Sequence, residues 1–148
     1  MAITTAMATS FKQEVLVATH DFTLTTGDVF KLALIKPSMA GTYGAASTNY
    51  SDITGNSDEA SGSGYSAGGG TLTNVTPTIS GTTALTDFVD LTFSSATISA
   101  DGCMIYNSSN SNVAVSTHDF GGTKTASGGD FVIQFPTADA SNAILRLA

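Results

Sequence analysis

The chain contains two histidines, and each lies in the same four-residue stretch, Thr-His-Asp-Phe. The first stretch contains His20 and Asp21, and the second contains His118 and Asp119. A histidine beside an aspartate could act as a general acid–base pair, and two histidines could bind a metal ion. Neighbouring side chains of a β-strand point to opposite faces, so neither pair can form a dyad on its own strand. A dyad would need His20 near Asp119, or His118 near Asp21.

The partners that such chemistry requires are missing from the sequence pattern. No Gly-x-Ser-x-Gly motif is present, and the spacing supplies no carboxylate ligands for a two-histidine zinc site. Asp87 and Asp90 lie an odd number of positions apart in a predicted strand, so they face opposite ways and cannot form a glycosidase pair alone. Each Thr-His-Asp-Phe leads through a turn to Gly-Asp and a Phe, which predicts two similar hairpins. We predict no enzyme activity, catalytic residue, metal site or cofactor.

Two loops have compositions similar to those of ligand-binding loops. The segment GSGYSAGGG at 62–70 fits neither the dinucleotide nor the phosphate-loop pattern. We predict that it is a tight loop crossing over the sandwich. The segment DITGNSDE at 52–59 alternates oxygen-bearing residues as calcium loops do, but it lacks the EF-hand glycine and the final glutamate. The sequence leaves open whether any loop binds a cation or a glycan.

Charge and composition exclude several classes of partner. The net charge is −7, and the five basic residues are scattered, whereas nucleic-acid binding needs clustered Lys and Arg. No apolar run is long enough to span a bilayer, and the N-terminus lacks the features of a secretory signal. Cys103 is the single cysteine, so no intramolecular disulfide can form. We therefore predict neither a nucleic-acid nor a membrane partner.

Short segments of strand pattern, separated by clusters of Gly, Ser and Asn, occupy most of the chain. Thr is abundant and charged residues make up only 11%, which suits β-structure that packs against other subunits. This pattern predicts an all-β, antiparallel β-sandwich, jelly-roll-like, as a single domain over 1–148. The predicted strands cover 29–36, 71–79, 83–93, 102–107, 112–120, 129–136 and 143–148.

Three further elements surround these strands. Residues 10–18 are predicted to form one short N-terminal helix, with Ser10 as N-cap and Gln13 completing a capping box. Residues 1–9 are predicted to form a flexible arm. Residues 38–70 form a long loop excursion, and loops of this length usually carry function or contacts.

The chain after residue 10 resembles a family of small virion structural proteins of tailed bacteriophages. The pattern is diffuse and extends over nearly the whole chain, with SDEASGSG at 57–64 longer than is typical of the family. The resemblance rests on FKQE at 11–14 running into HDF at 20–22, GYSAGG at 64–69, DLTF at 90–93, IYN at 105–107 and FGG at 120–122.

The resemblance implies a structural subunit of the virion, made in the host cytoplasm. We expect a capsid decoration (cement) protein that stabilises the head shell, with the major capsid protein and copies of itself as partners in a homo-oligomer. Deleting residues 1–9 should then weaken shell binding and leave the fold intact. The candidate interface residues, in the arm, the helix and the excursion, are Ile3, Met7, Phe11, Tyr43, Tyr50 and Tyr65.

Two alternatives remain open. The protein could instead be a tail or neck adaptor or a fibre component, in which case Tyr43, Tyr50 or Tyr65 would contact a glycan. A small carbohydrate-active or metal-dependent enzyme is the third interpretation. The absence of Trp and of carboxylates paired on one face disfavours it.

Overall fold

The computed structural model describes all 148 residues. Its two helices are α1 (Thr9–Leu16) and α2 (Ser51–Gly55), and all other regular structure is β. The strands are β1 (Ala6–Met7), β2 (Phe30–Ile35), β3 (Gly70–Thr71), β4 (Asn74–Ser80), β5 (Thr83–Phe88), β6 (Leu91–Asn107), β7 (Val113–Ile133) and β8 (Leu145–Leu147). The predicted all-β class with a short N-terminal helix is confirmed.

The strands form two antiparallel sheets that share one core. The large sheet has the order β1-β7-β6-β2-β3, and the small sheet has the order β4-β5-β8. Aromatic side chains join them, and the ring centroids of Phe30 in β2 and Phe88 in β5 are 5.7 Å apart. The predicted antiparallel sandwich is therefore confirmed. The strands are divided five and three between the sheets, whereas a regular jelly roll divides its eight strands equally.

One long hairpin, β6–β7, forms the middle of the large sheet. It pairs continuously from Leu91 with Ile133 to Asn107 with Val113, so the predicted turns within it are wrong. Bulges accommodate the glycine-rich segments instead, and residues 120–123 of β7 together oppose Asp101 of β6. The strand predicted at 83–93 is divided at 89–90, where the chain passes from the small sheet to the large sheet.

The large sheet is buried on both faces, and β2 shows why. Leu32 and Leu34 lie on one face of β2, Ala33 and Ile35 lie on the other, and all four are fully buried. A strand with one exposed face alternates apolar and polar residues. Because β2 is buried on both faces, its residues are almost all apolar. The small sheet and α1 cover the first face.

The excursion predicted at 38–70 covers the second face. Tyr50 stacks on Tyr106 of β6 with ring centroids 4.7 Å apart, and Ile53 of α2 is fully buried. A Cβ atom at Gly62 or Gly69 would collide with the backbone of β6 or β2, so only glycine lets the loop lie this close. The tight crossing loop is confirmed. Most of the excursion's large side chains point into the protein.

The first nine residues are not a flexible arm. Strand β1 within them pairs with Ser116 and Thr117 of β7, at the edge of the large sheet. The N–H of Thr4 donates to the carbonyl of Tyr43 at 2.8 Å, and the N–H of Tyr43 donates to Ala2 at 2.9 Å. These backbone hydrogen bonds, together with a buried Ile3, fix the segment.

Helix α1 is displaced from its predicted position. It starts at Thr9 after Ala8, and Ala8 makes no side-chain capping hydrogen bond. Ser10 therefore lies inside the helix and is not its N-cap. The helix ends at Leu16 because Ala18 adopts a left-handed conformation with φ of 58°.

Candidate functional site

The two Thr-His-Asp-Phe stretches do not form matching hairpins. The first is irregular chain between α1 and β2, and the second lies within β7. The N–H of Thr23 donates to Asp21 at 2.9 Å, and the N–H of Gly121 donates to Asp119 at 2.9 Å. Asp21 thus stabilises a local turn, and Asp119 stabilises the bulge that follows it in β7. Neither of the two possible dyads, His20–Asp119 or His118–Asp21, is formed.

His20 belongs to a buried structural network. Its Nε2 lies 2.8 Å from a carboxylate oxygen of Glu14, and its Nδ1 lies 3.0 Å from the amide nitrogen of Asn107. An amide nitrogen can only donate, so a neutral ring with its proton on Nε2 satisfies both contacts. The ring centroid of Phe11 is 4.8 Å away, and that of Phe30 is 6.2 Å away.

The same network joins the irregular segment to the turn of the β6–β7 hairpin. Oδ2 of Asp28 accepts hydrogen bonds from the side-chain amides of Asn107 at 2.8 Å and Asn110 at 3.0 Å. Asn110 also donates to the carbonyl of Thr19 at 2.6 Å. These polar side chains therefore hold a loop that contains little regular structure.

His118 lies on the inner face of the large sheet, opposite Cys103 of β6. Its Nε2 is 2.9 Å from Oγ of Ser116, which is almost fully buried. Burial lowers the pKa of His118 to about 4 and raises the pKa of the Cys103 thiol. The histidine is therefore neutral and the thiol protonated at neutral pH, the unreactive form of a thiol.

Two carboxylates in the excursion are held by tyrosines. Asp58 is fully buried and accepts hydrogen bonds from the Tyr43 hydroxyl at 2.6 Å and from the N–H groups of Ala40 and Gly41. Burial alone would raise the pKa of Asp58, but these hydrogen bonds hold it below its ordinary value. Nζ of Lys36 lies 3.5 Å away. The site is a closed anchor for the loop.

Glu59 forms the second anchor. Its Oε2 accepts the Tyr50 hydroxyl at 2.5 Å, and its Oε1 accepts the Tyr65 hydroxyl at 2.7 Å and the N–H of Gly68 at 2.7 Å. Burial and the adjoining carboxylate raise the pKa of both tyrosines. All three tyrosine hydroxyls of the excursion are thus occupied by carboxylates.

The oxygen-bearing residues of 52–59 do not converge on one point. Asp52 accepts the N–H of Thr48 at 2.8 Å, whereas Asp58 faces Tyr43. Asn56 donates to the backbone carbonyl of Asp52 at 2.9 Å. No group of three His, Cys, Asp or Glu side chains is arranged to hold a metal ion.

The six residues predicted to form an interface lie mainly in the core. Ile3, Phe11 and Tyr43 are buried, and Met7, Tyr50 and Tyr65 are partly buried and pack against the core. Apolar residues in irregular segments were interpreted as contact residues, but they cover the sheet within the same chain. Among them Phe11 also reaches a surface opening.

That opening is an apolar cleft between α1 and the far end of the small sheet, here called the helix–sheet cleft. Its volume is about 160 Å³. Val15 lies on the helical side, and Pro77, Ala84 and Leu147 lie on the sheet side. Most other lining residues are also apolar, so the cleft provides no charged group for a polar ligand.

The rim of the helix–sheet cleft exposes large apolar side chains. Ile79 of β4, Ala84 of β5 and Leu147 of β8 are register partners, so they form one row across the sheet face. Ile79 is 76% exposed and Leu147 is 58% exposed. Leu16, at the end of α1 but not among the residues that line the cleft, is 86% exposed. Contiguous exposed apolar side chains typically mark an interaction surface.

Sequence reasoning missed this cleft. The sequence predicted strands at 71–79 and 143–148, but it did not indicate that the core ends before the row of Ile79, Ala84 and Leu147. The exposed end of α1 was also hidden, because the helix was predicted to continue to residue 18.

No protein family, curated protein or solved structure matches this chain. None of its helices has both the length and the apolar character required to cross a membrane.

Proposed function

We propose that this chain is a structural protein of a tailed-bacteriophage virion, and that it decorates the capsid as a cement protein. Its partners are then the major capsid protein and other copies of itself. The observation that carries the proposal is the exposed apolar row of the helix–sheet cleft. Burying Ile79 and Leu147 against a neighbouring subunit would remove their apolar surface from water, which is favourable.

The composition of the surface supports this role. Charged residues make up 11% of the chain, and exposed positions are rich in Ser, Thr and Gly. Interface cores are depleted in charged residues, so such a surface can be covered with little desolvation of charge. The predicted contact through Ile3 and Tyr43 is replaced by contact through the helix–sheet cleft.

The internal anchors also suit a cement protein. The carboxylate–tyrosine pairs Asp58–Tyr43 and Glu59–Tyr65 fasten the long excursion onto the sheet. A rigid surface loses less conformational entropy when it binds, so more of the contact energy stabilises the shell. The same pairs occupy the tyrosine hydroxyls, which weakens the alternative of a fibre that binds glycans through them.

Immunogold electron microscopy of intact virions, with an antibody raised against the folded chain, tests the proposal. Pre-immune serum on the same particles is the control. Gold distributed over the head is the expected result. Gold confined to the tail or neck would replace the cement role with the adaptor or fibre role. Unlabelled particles would contradict a virion protein altogether.

A further inference from the structure

A cavity lies beneath the irregular segment that connects β7 to β8, residues 134–144, here called the β7–β8 strap. The volume of this cavity, here called the strap cavity, is about 180 Å³. Phe135 and Ile144 line it from the strap, and Ile105 and His118 line it from the large sheet. The virion role proposed above makes no use of this space.

The strap cavity extends into the apolar core. Leu32 and Ile105, which line it, are almost completely buried, and the aromatic rings of Phe120 and Phe135 also belong to its lining. No aspartate, glutamate, lysine or arginine lines the cavity. An apolar protein cavity of about 150 Å³ can bind benzene. The strap cavity therefore has the size and the lining for one small, uncharged aromatic ring.

One polar group in the lining has no partner within the chain. Nε2 of His118 lies 2.9 Å from Oγ of Ser116, but Nδ1 of His118 makes no hydrogen bond. The completely buried side-chain N and O atoms that lack a partner are Oγ of Ser10 and Oδ1 of Asn74. Nδ1 of His118 is not among them, so this nitrogen is accessible. Because His118 lines the strap cavity, an occupant can reach it.

The contact with Ser116 determines which polar group fits Nδ1. If the serine hydroxyl donates to Nε2, the ring proton lies on Nδ1, and Nδ1 donates to the occupant. If Nε2 donates to the serine, Nδ1 accepts instead. A hydroxyl group can donate and accept, so it satisfies either tautomer. Burial lowers the pKa of His118 to about 4, so the ring is uncharged at neutral pH and does not attract an anion.

The β7–β8 strap is fastened to the sandwich by two carboxylates. The N–H of Phe135 donates to Asp90 at 2.8 Å, and the N–H of Ile144 donates to Asp87 at 3.3 Å. The rest of the strap forms no helix or strand, and Gln134, which lines the cavity, is exposed. Irregular segments open locally at a lower free energy than the sheets they cover. The strap therefore provides an entrance that leaves both sheets paired.

We propose that the strap cavity binds a small uncharged phenol, a single aromatic ring that carries one hydroxyl group. The ring lies among Leu32, Phe120 and Phe135, and the hydroxyl forms a hydrogen bond with Nδ1 of His118. Contacts between aromatic rings stabilise such a complex beyond the burial of apolar area. The site does not depend on the proposed virion role, so either proposal can fail while the other stands.

NMR titration of the wild-type chain with phenol locates the site. We expect saturable shifts of backbone amide signals centred on His118, Phe135 and Ile144, with a dissociation constant of about 1 mM or lower. The helix–sheet cleft is the competing apolar site. Shifts centred on Ala84 and Leu147 would overturn the proposal, and so would the absence of saturable shifts up to about 10 mM phenol.

Benzene tests the role of the histidine nitrogen. Benzene lacks the hydroxyl group, so phenol should bind the wild type about fivefold more tightly. In His118→Leu this preference should disappear while benzene still binds, which shows that the cavity is intact. Ala84→Leu, which fills the helix–sheet cleft, is the control and should bind phenol as the wild type does.

Two results of this comparison would contradict the site. One is equal affinity of the wild type for phenol and benzene, which remains decisive even if His118→Leu does not fold. The other is a preference for phenol that persists in a folded His118→Leu variant, because the hydroxyl would then be bound elsewhere.

Discussion

The Tyr65 hydroxyl donates to Oε1 of Glu59 at 2.7 Å and accepts the N–H of Leu34 at 3.0 Å. One side chain of the excursion thus connects a partly buried carboxylate to the backbone of a central strand. The excursion is for this reason a structural layer of the protein, although its length and composition suggested a contact loop. Its stability should depend on these few polar contacts.

Replacing Tyr65 with Phe removes both hydrogen bonds, leaves the buried amide of Leu34 without a partner, and leaves Oε1 of Glu59 with the N–H of Gly68 alone. A buried group left unsatisfied costs about 1–3 kcal/mol in the free energy of unfolding. The matched control is Tyr106→Phe, which loses a single hydrogen bond, to the carbonyl of Gly68. Urea unfolding should show the larger loss for Tyr65→Phe. A larger loss for the control would show that Tyr65 does not anchor the loop.

Gly102 should not tolerate a side chain. A Cβ atom there would lie 2.7 Å from Cδ1 of Ile3 and closer still to the backbone carbonyl of His118. Overpacking of this kind costs about 1–3 kcal/mol, so Gly102→Ala should lower the urea midpoint clearly. Gly55→Ala is the control, because a Cβ at Gly55 would meet no atom within 4 Å. Equal midpoints for the two variants would refute the close packing at Gly102.

The free energy of unfolding should fall in mild acid because of His118. The pKa of His118 is about 4 in the folded protein, whereas the ordinary pKa of a histidine is 6.5. Between these two pH values the unfolded chain binds more protons than the folded protein. The contribution of neutral His118 to stability is therefore complete above pH 6.5 and is lost as the pH falls to about 4. The loss is about 3 kcal/mol. Urea unfolding from pH 7.5 to pH 4 should show it.

His118→Gln separates this effect from the titration of carboxyl groups. The variant has no group that titrates at position 118, so its stability should change less over the same range, whatever its absolute value. Identical pH profiles for the two proteins would mean that His118 is protonated equally well in both states.

The N-terminal segment should contribute to stability. Ile3→Ala removes a buried side chain and should cost about 2–5 kcal/mol in thermal or urea unfolding. Thr4→Ala, an exposed neighbour whose side chain makes no hydrogen bond, should change stability by less than about 0.5 kcal/mol. If both substitutions changed stability by equally small amounts, the sequence-based prediction of a flexible arm would be supported.

Periodicity in the sequence was sufficient for the fold class. The predicted strand at 29–36 has Leu32 and Leu34 on one face and Ala33 and Ile35 on the other, and the structure buries both faces. Strand boundaries were less predictable. The glycine-rich segment at 121–129 has the residues of a turn, yet long-range pairing with β6 keeps it in the ladder as bulges.

The candidate contact surface could not be predicted in the same way. A tyrosine in a long loop, such as Tyr43, has the same local sequence signature whether it faces solvent or a buried aspartate. Its orientation depends on which sheet face the loop covers, and that is a property of the whole fold. Exposure of Ile79 likewise results from where the core ends, because its own strand predicts only its face.

Binding to capsid shells tests the central claim most directly. Heads assembled without this chain would be incubated with the wild-type protein, Ile79→Asp and Thr78→Asp, and bound protein measured by co-sedimentation. Ile79 lies in the exposed row of the helix–sheet cleft, and its exposed neighbour Thr78 faces the other side of the sheet. We expect the wild type and Thr78→Asp to bind alike, and Ile79→Asp to bind at least about tenfold more weakly. Binding of all three variants alike would contradict the cleft as the contact, and heads that do not bind the wild type would contradict the decoration role.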